Sequence, residues 1–266
     1  MRLYDTHCHL QASVLAARGE EIFTRASASG VEGMVVCSTE PGDWAEVEAL
    51  ADARRQVLPA FGVHPWYLPE GGPEHWMGSL EALLRARPVA WVGEIGLDRT
   101  AGPPLERQEA AFAPQLALAG RLGRPASLHC RRTWDRLGWH LARRAHKEVP
   151  VVLHSFGGSV DVARQFLDHH AYFSFSGALT RTRNQRLPEV IRFLPRDRVL
   201  IETDSPDLLP QDLWRENPDR PNEPAFLSEV LLRLASLWES SVEETAAQLE
   251  QNTLHLTGLY FQPADD

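Results

Sequence analysis

Six residues of cation-holding type are spread along the chain: His7, His9, Glu94, His129, His154 and Asp204. The first two lie in Asp5-Thr6-His7-Cys8-His9, after the short apolar run Leu3-Tyr4. Histidines at i and i+2 of an extended segment point to the same side. Two imidazoles then converge on one point, as a divalent cation requires. One such pair is weak evidence alone. The other four residues strengthen it, because each sits at or just past an apolar run of β type. Mixed nitrogen and oxygen donors suit Zn²⁺, Mn²⁺, Fe²⁺ or Co²⁺, and Mg²⁺ less naturally. Six protein ligands exceed the need of one tetrahedral catalytic ion, and two ions sharing a carboxylate use them better. Two cations about 3.5–4 Å apart activate a water and stabilise the attacking and leaving oxygens of phosphoryl transfer.

The elements that must position these residues alternate. Strands are expected over Arg2–Thr6, Gly33–Ser38, Val57–Val63, Val89–Ile95, Ala126–Cys130, Val151–His154, Ala171–Phe175 and Val199–Thr203. Helical patterns fall over Glu20–Ser29, Asp43–Arg55, Met77–Arg87, Leu105–Leu122, Trp134–Ala145, Val160–His169 and Asn184–Phe193, with a last helical region over Pro224–Thr253. Strands alternating with helices mean parallel β-α units. At 266 residues the economical closure is an α/β fold of the (β/α)8 TIM-like barrel type, a single domain over 1–266. Chemistry in such a barrel sits at the C-terminal ends of the strands, where all six residues fall. Closure brings strands one and eight together, so His7, His9 and Asp204 form a natural first cluster and His129 with His154 a second. Glu94, between the two histidine groups, is the best bridging carboxylate. The Pro/Gly-rich stretches 69–73, 102–104 and 206–224 read as loops, the last two over the site.

Composition bounds the rest. A hydrophobic content of 43% supports a large core. No apolar stretch reaches membrane-spanning length and the N-terminus carries no leader pattern, so a cytoplasmic location with no membrane partner is expected. Three cysteines, Cys8, Cys37 and Cys130, argue against a disulfide framework, and Cys8 and Cys130 read as packing residues. A net charge of −9 excludes a protein that coats nucleic acid through a broad basic face, but not an enzyme that grips a strand end.

Taken in order, Asp5-Thr6-His7-Cys8-His9-Leu10, Gly62-Val63-His64-Pro65, Gly93-Glu94-Ile95-Gly96-Leu97-Asp98, Leu128-His129-Cys130-Arg131, His154-Ser155-Phe156-Gly157-Gly158 and Glu202-Thr203-Asp204-Ser205-Pro206 resemble the TatD family of metal-dependent deoxyribonucleases, within the amidohydrolase-like barrels. The Gln108…Phe112…Leu116 helix and the Arg220-Pro221-Asn222-Glu223-Pro224 turn look familial too. The resemblance implies a barrel with a pair of divalent cations and 3′–5′ exonuclease-type phosphodiester hydrolysis. DNA ends, single-stranded or frayed, are the expected partner, and a monomer is expected. The resemblance assigns His7, His9 and Asp204 to one ion, His129 and His154 to the other, and Glu94 to both. Glu94 and Asp204 are then the catalytic carboxylates, Asp204 accepting a proton from the attacking water. The chain departs from the family pattern at Trp66, where a second histidine is common, at Arg132-Thr133, where an acidic residue is common, and at Arg99-Thr100, where aromatics are common. These departures leave the ligand set intact and bear on substrate choice.

Candidate substrate contacts are His64, Arg131, Trp66 and Arg99. Guanidinium forks match phosphate geometry, and an exposed tryptophan stacks on bases or packs a loop. Asp5 is expected to orient a histidine or the strand end, and Asp98 to end the fourth strand as a loop or cap residue. A competing reading is a two-metal hydrolase of a small ester, amide or phosphoester. Such sites often use a carbamylated lysine, and the single lysine, Lys147, falls in a helix-end pattern. A non-catalytic metal-binding protein would show lost ligands, and none is lost.

Overall fold

The computed structural model describes residues 1–183, 185–258 and 260–261. Eight parallel strands lie in chain order in one barrel-like sheet. They are β1 (Leu3–Cys8), β2 (Val31–Cys37), β3 (Val57–Phe61), β4 (Trp91–Asp98), β5 (Ala126–Arg131), β6 (Val151–Leu153), β7 (Ala171–Phe175) and β8 (Val199–Ile201). The seam between β8 and β1 is closed by individual bonds. Thr6 Oγ1 donates to the Ile201 carbonyl at 3.0 Å, the Thr203 amide to Asp5 Oδ1 at 2.9 Å, the Asp204 amide to the His7 carbonyl at 2.9 Å and the His9 amide to the Ser205 carbonyl at 2.8 Å.

The outer ring holds α1 (Ser13–Ala16), α2 (Gly19–Ala28), α3 (Trp44–Ala53), α4 (Met77–Ala86), α5 (Leu105–Leu122), α6 (Trp134–Arg143), α7 (Val160–Leu167), α8 (Arg186–Phe193), α9 (Gln211–Glu216), α10 (Leu227–Trp238) and α11 (Val242–Thr257). Residues of α5 at helical spacing, Ala111, Phe112, Gln115 and Ala119, are buried. Alternation along the strands separates two apolar layers. Met34, Val36, Val57, Phe61, Val151 and Leu153 pack in the large layer that includes the helices, whereas Val35, Cys37, Leu58, Ala60, Val152 and Leu200 form a second one. The second layer fills the barrel interior: Cys37 Sγ lies 3.4 Å from His7 Nδ1, and that nitrogen meets Ser127 Oγ of β5 at 2.8 Å, across the lumen.

Several expected limits move. β1 runs two residues further than expected, so His7 is inside the strand and His9 just beyond it. β4 ends at Asp98 rather than Ile95, and Glu94 lies mid-strand. The register of β4 against β5 shifts between Val92 and Ile95, which gives β4 an extra residue beside Glu94. The final helical region splits into α10 and α11 because Ser241 and Glu244 form a capping box. The stretch expected as loop over 206–224 contains α9. The expected helix start at Asn184 lies outside the described residues; α8 begins at Arg186.

Candidate metal centre

All six candidate ligands meet at the C-terminal mouth of the barrel, around one carboxylate. Glu94 is 3% exposed, and its two oxygens face different histidine pairs. Oε2 lies 3.2 Å from His7 Nε2 and 3.4 Å from His9 Nε2. Oε1 lies 3.0 Å from His129 Nδ1 and 2.8 Å from His154 Nε2. Asp204 Oδ1 joins the first pair, 3.7 Å from His7 Nε2 and 3.6 Å from His9 Nε2. The backbone explains this convergence. In Gly93-Glu94-Ile95-Gly96, a Cβ on Gly93 would come within 2.9 Å of Ser127 Cβ, and one on Gly96 (φ +155°) within 2.0 Å of the His129 carbonyl oxygen. Only glycines let β4 approach β5 closely enough for Glu94 to reach His129. Asp204 sits in the left-handed region at φ +57°, which Asp tolerates better than most residues and which turns its carboxylate back over β1.

The outward hydrogen bonds of the imidazoles decide which nitrogen carries a lone pair. His9 Nδ1 meets the Cys37 carbonyl at 2.8 Å, so that nitrogen must donate and Nε2 is left free. His129 is turned around: Nε2 donates to Asp98 Oδ2 at 3.0 Å, and Nδ1 faces Glu94. His154 turns Nε2 to the centre and sets Nδ1 3.5 Å from the buried Glu202 Oε1, an ion-pair separation rather than a hydrogen bond. His7 Nδ1 pairs with Ser127 Oγ, whose hydroxyl can accept. The inner nitrogens lie 3.2 Å apart in both pairs, His7 with His9 and His129 with His154. Bonds of ~2.0–2.1 Å to a four-coordinate cation put neighbouring nitrogens about 3.3 Å apart. The residues therefore fit a pair of divalent cations sharing Glu94. The geometry also groups His7 with His154 and Glu202, and His64 with Glu94 and His129. Glu202 reaches the outer nitrogen of His154 and serves as its support rather than as a ligand.

Charge is concentrated where water is excluded. Burial raises the Glu94 carboxyl, but the surrounding imidazoles, His154 and His64 foremost, outweigh it and hold the group well below the usual carboxylate range. Asp204 follows the same pattern: burial opposes ionisation, and His9, His154 and His7 outweigh it. Burial works against a charged His9, yet Asp204 and Glu94 raise it to about 10. Burial likewise opposes charge on His154, and Glu94 and Glu202 raise it well above the ordinary value. Two buried carboxylates among imidazoles thus demand positive charge, supplied either by protons or by cations.

A sequence profile of the family described as TatD related DNase matches residues 4–258. The chain belongs to the TatD family. It is 36% identical over 258 residues to the uncharacterized metal-dependent hydrolase YjjV of Escherichia coli K12, with 96% of this chain and 97% of that protein covered. It is 34% identical over 260 residues to the 3′-5′ ssDNA/RNA exonuclease TatD of Klebsiella pneumoniae, with 97% and 98% covered. The crystal structure of the Escherichia coli TatD homolog YjjV superposes with a TM-score of 0.89 at 34% identity, covering 96% of this chain and 97% of that one. The chain is accordingly a metal-dependent hydrolase of the amidohydrolase-like type, as the motifs imply.

In this TatD-family chain the centre opens into a cavity of about 400 Å³. His64, Trp66 and Tyr67 line it with every candidate ligand but the fully buried His7, and Glu40 and Asp207 add negative charge. Arg131 and Arg99 do not: among the described residues, no arginine or lysine lines the cavity. Arg131 is exposed at the end of β5 and Arg99 pairs with Asp135 at 3.4 Å, both outside the lining. Lys147 is exposed in the loop after α6, outside the lining. The three thiols are held up by burial, that of Cys130 at about 12, and among the described residues no cysteine belongs to the groups that could hold an ion. Among the described residues, no helix is long and apolar enough to cross a membrane.

Trp66 is 39% exposed, but its indole N–H donates to Asp98 Oδ2 at 2.9 Å, the oxygen that also receives His129 Nε2. Asp98 is more than a strand-end cap. It is 1% exposed, and burial is overcome by His129 and Thr100, which lower its carboxyl. Asp5 orients the strand end as expected, binding the Thr203 amide and hydroxyl and the His7 amide.

Sequence reasoning missed a layer of buried polar residues behind the ligands. Gln108 accepts from the Asp98 amide at 2.7 Å and donates to the Asp98 carbonyl at 2.8 Å. Gln115 accepts from the Val63 amide at 2.8 Å, next to His64. Their signal was present: two glutamines seven apart on the apolar face of α5. Asn222 donates to the Thr203 and Asp207 carbonyls, both at 2.8 Å, and holds the Asp204 loop. Glu223, 1% exposed, accepts two bonds of 2.7 Å from Arg25 of α2 and so anchors that turn.

Proposed function

We propose that the protein is a divalent-metal-dependent deoxyribonuclease that shortens single-stranded or frayed DNA from the 3′ end, with two cations held around Glu94. The observation that carries this reading is the division of Glu94, one oxygen toward His7 and His9 and the other toward His129 and His154. Similarity to the 3′-5′ ssDNA/RNA exonuclease of Klebsiella pneumoniae supports the choice of substrate. Bound there, cations supply Lewis acidity for a water nucleophile and for the phosphate and leaving oxygens. Asp204, 14% exposed and facing the cavity, accepts the proton of the attacking water. Trp66 and Tyr67, half-exposed at the mouth, offer aromatic faces to a terminal base. Among the described residues no arginine or lysine lines the cavity, so the positive charge that a phosphate needs there would come from bound cations.

A second reading, hydrolysis of a small ester, amide or phosphoester, is favoured by one feature. Glu40 and Asp207 border the cavity and repel a polyanion. One experiment separates the two. Cation-free protein is titrated with Mg²⁺, Mn²⁺ and Zn²⁺ and given 5′-labelled single-stranded DNA, with Glu94→Ala as control. Stepwise shortening that needs both the cation and Glu94 supports the exonuclease. A folded, cation-loaded protein that leaves the DNA intact would sink it in favour of the small-molecule hydrolase.

A further inference from the structure

His64 turns Nε2 inward, as His7, His9 and His154 do, but differs from His9 and His129 in what its inward nitrogen carries. The Trp66 backbone amide donates to its Nδ1 at 3.1 Å. A backbone amide is a donor only, so Nδ1 carries the lone pair and the ring proton of neutral imidazole sits on Nε2. The fixed backbone makes this arrangement firm. The His64 amide donates to the Thr39 carbonyl at 2.8 Å, and Gln115 grips Val63 beside it. Nε2 lies on the cavity side, 3.4 Å from Glu94 Oε1, which is too far for a short bond to hold that proton. His9 and His129 present lone pairs to the centre because carbonyl or carboxylate acceptors hold their outer nitrogens; His64 presents an N–H.

We infer that His64 is not a metal ligand but a hydrogen-bond donor, its Nε2–H directed at the substrate oxygen on which negative charge grows during hydrolysis. The inference rests on the hydrolase reading but not on DNA as the substrate, since a phosphoryl and a carbonyl oxygen both accept such a bond. Among the described residues no arginine or lysine lines the cavity; Gln11 and Thr39 donate to protein acceptors, and the His64 N–H, with the Tyr67 hydroxyl, is a neutral donor left for substrate. The proton stays on His64 throughout, and no bond to it is made or broken.

The test begins with protein carrying ¹⁵N-labelled histidine, loaded with ¹¹³Cd²⁺. Cadmium coupling is expected at Nε2 of His7, His9 and His154 and at Nδ1 of His129, with none at His64, whose Nε2 keeps its proton. Cadmium coupling at His64, or a proton on its Nδ1, would overturn the inference. The kinetic arm compares His64→Asn, which loses the donor at the Nε2 position, with His64→Gln, which keeps an N–H near it. Both should bind cations as the parent does. His64→Asn should lower kcat by about 10²–10³ with little change in KM, the usual loss for one donor to a developing charge, and His64→Gln should recover part of it. Equal kcat in both variants, or weakened cation binding with kcat of the loaded protein unchanged, would reduce His64 to a prop for Glu94 and overturn the donor role. Bis(p-nitrophenyl) phosphate is assayed beside labelled DNA. If the parent cleaves only the small diester and the His64 pattern holds there, the exonuclease reading fails while the donor role stands.

Discussion

The two halves of the centre hold similar imidazoles by different means. His7 and His9 rest on neutral partners, the Ser127 hydroxyl and the Cys37 carbonyl, and their half carries its own inner carboxylate, Asp204. His129 and His154 have no carboxylate beyond the shared Glu94, and buried carboxylates back them instead, Asp98 and Glu202. The first half thus has one carboxylate besides Glu94, inside the shell, and the second has two, both behind it. A carboxylate behind an imidazole raises its basicity and fixes its tautomer without occupying a coordination position. The half with the inner carboxylate keeps a proton acceptor next to the substrate; the half with outer carboxylates is built to hold.

Removing the shared element should have the largest effect. Glu94→Ala takes the central anion from both halves, so both cations should be lost at micromolar concentrations and hydrolysis should fall by about 10³-fold or more, above the lower end of the 10²–10⁴ typical of one acid–base group. Cation content by elemental analysis and turnover on one preparation check it. If Glu94→Ala lost one cation only, the carboxylate would belong to one half and the symmetry described above would be wrong.

Next come the supports. Asp98→Asn and Glu202→Gln should each weaken cation affinity by about 10–100-fold, the usual cost of removing a carboxylate behind a ligand. Ser127→Ala, behind His7, should cost less, because a hydroxyl contributes only about 0.5–1.5 kcal/mol net. Calorimetric titration of the three variants measures the ordering. A Ser127→Ala loss as large as that of Asp98→Asn would erase the difference between the halves.

Protons compete for the same inner nitrogens, and the sign follows from His9. Its pKa in the cation-free protein is raised from 6.5 to about 10 by Asp204 and Glu94, against the opposing effect of burial. Its contribution to stability is therefore full below pH 6.5 and is lost as pH rises through about 10. The melting temperature of cation-free protein should fall between pH 7 and 10, and that of the loaded protein should change less. Cation affinity should rise over the same window, by roughly tenfold per pH unit for each proton displaced. Titration in buffers of different ionisation enthalpy counts those protons. Affinity independent of pH would mean the imidazoles are already neutral.

These supports also mark the limit of what the chain alone reveals. The ligand-type residues were legible because residue type coincides with position at or near a strand end for all but Glu94, which lies mid-strand, and the parallel order of the strands brings those ends to one face. Asp98, Glu202 and Ser127 were not, because their roles depend on which strand faces which across the barrel. Ser127 matters only because His7 is opposite it, 120 positions earlier in sequence. The extra residue in β4 beside Glu94 has the same origin, since a register shift is a relation between two strands. The split between α10 and α11 was readable from Ser241 and Glu244, a local signal that the apolar periodicity on either side obscures. Arg131 and Arg99 show the converse. Arg99 follows the inward-facing Asp98, and alternation turns it outward; Arg131, in phase with His129, is the last residue of β5 and is exposed there.

The smallest expected effect tests where the second half ends. Asp98 Oδ2 receives both His129 Nε2 and the Trp66 indole, so one oxygen serves a ligand and the wall of the cavity. Trp66→Phe removes the indole bond and keeps an aromatic face. Asp98 still holds His129, and its other oxygen still accepts from the Thr100 amide at 2.6 Å. Cation affinity should then stay within about threefold of the parent, and KM should rise by about two- to tenfold, the equivalent of one net hydrogen bond. Asp98→Asn, in contrast, should move both quantities. If Trp66→Phe weakens cation binding as much as Asp98→Asn does, the tryptophan belongs to the support of His129. The second half would then extend to the surface of the cavity, and substrate contact at Trp66 would be felt directly at the metal ligand.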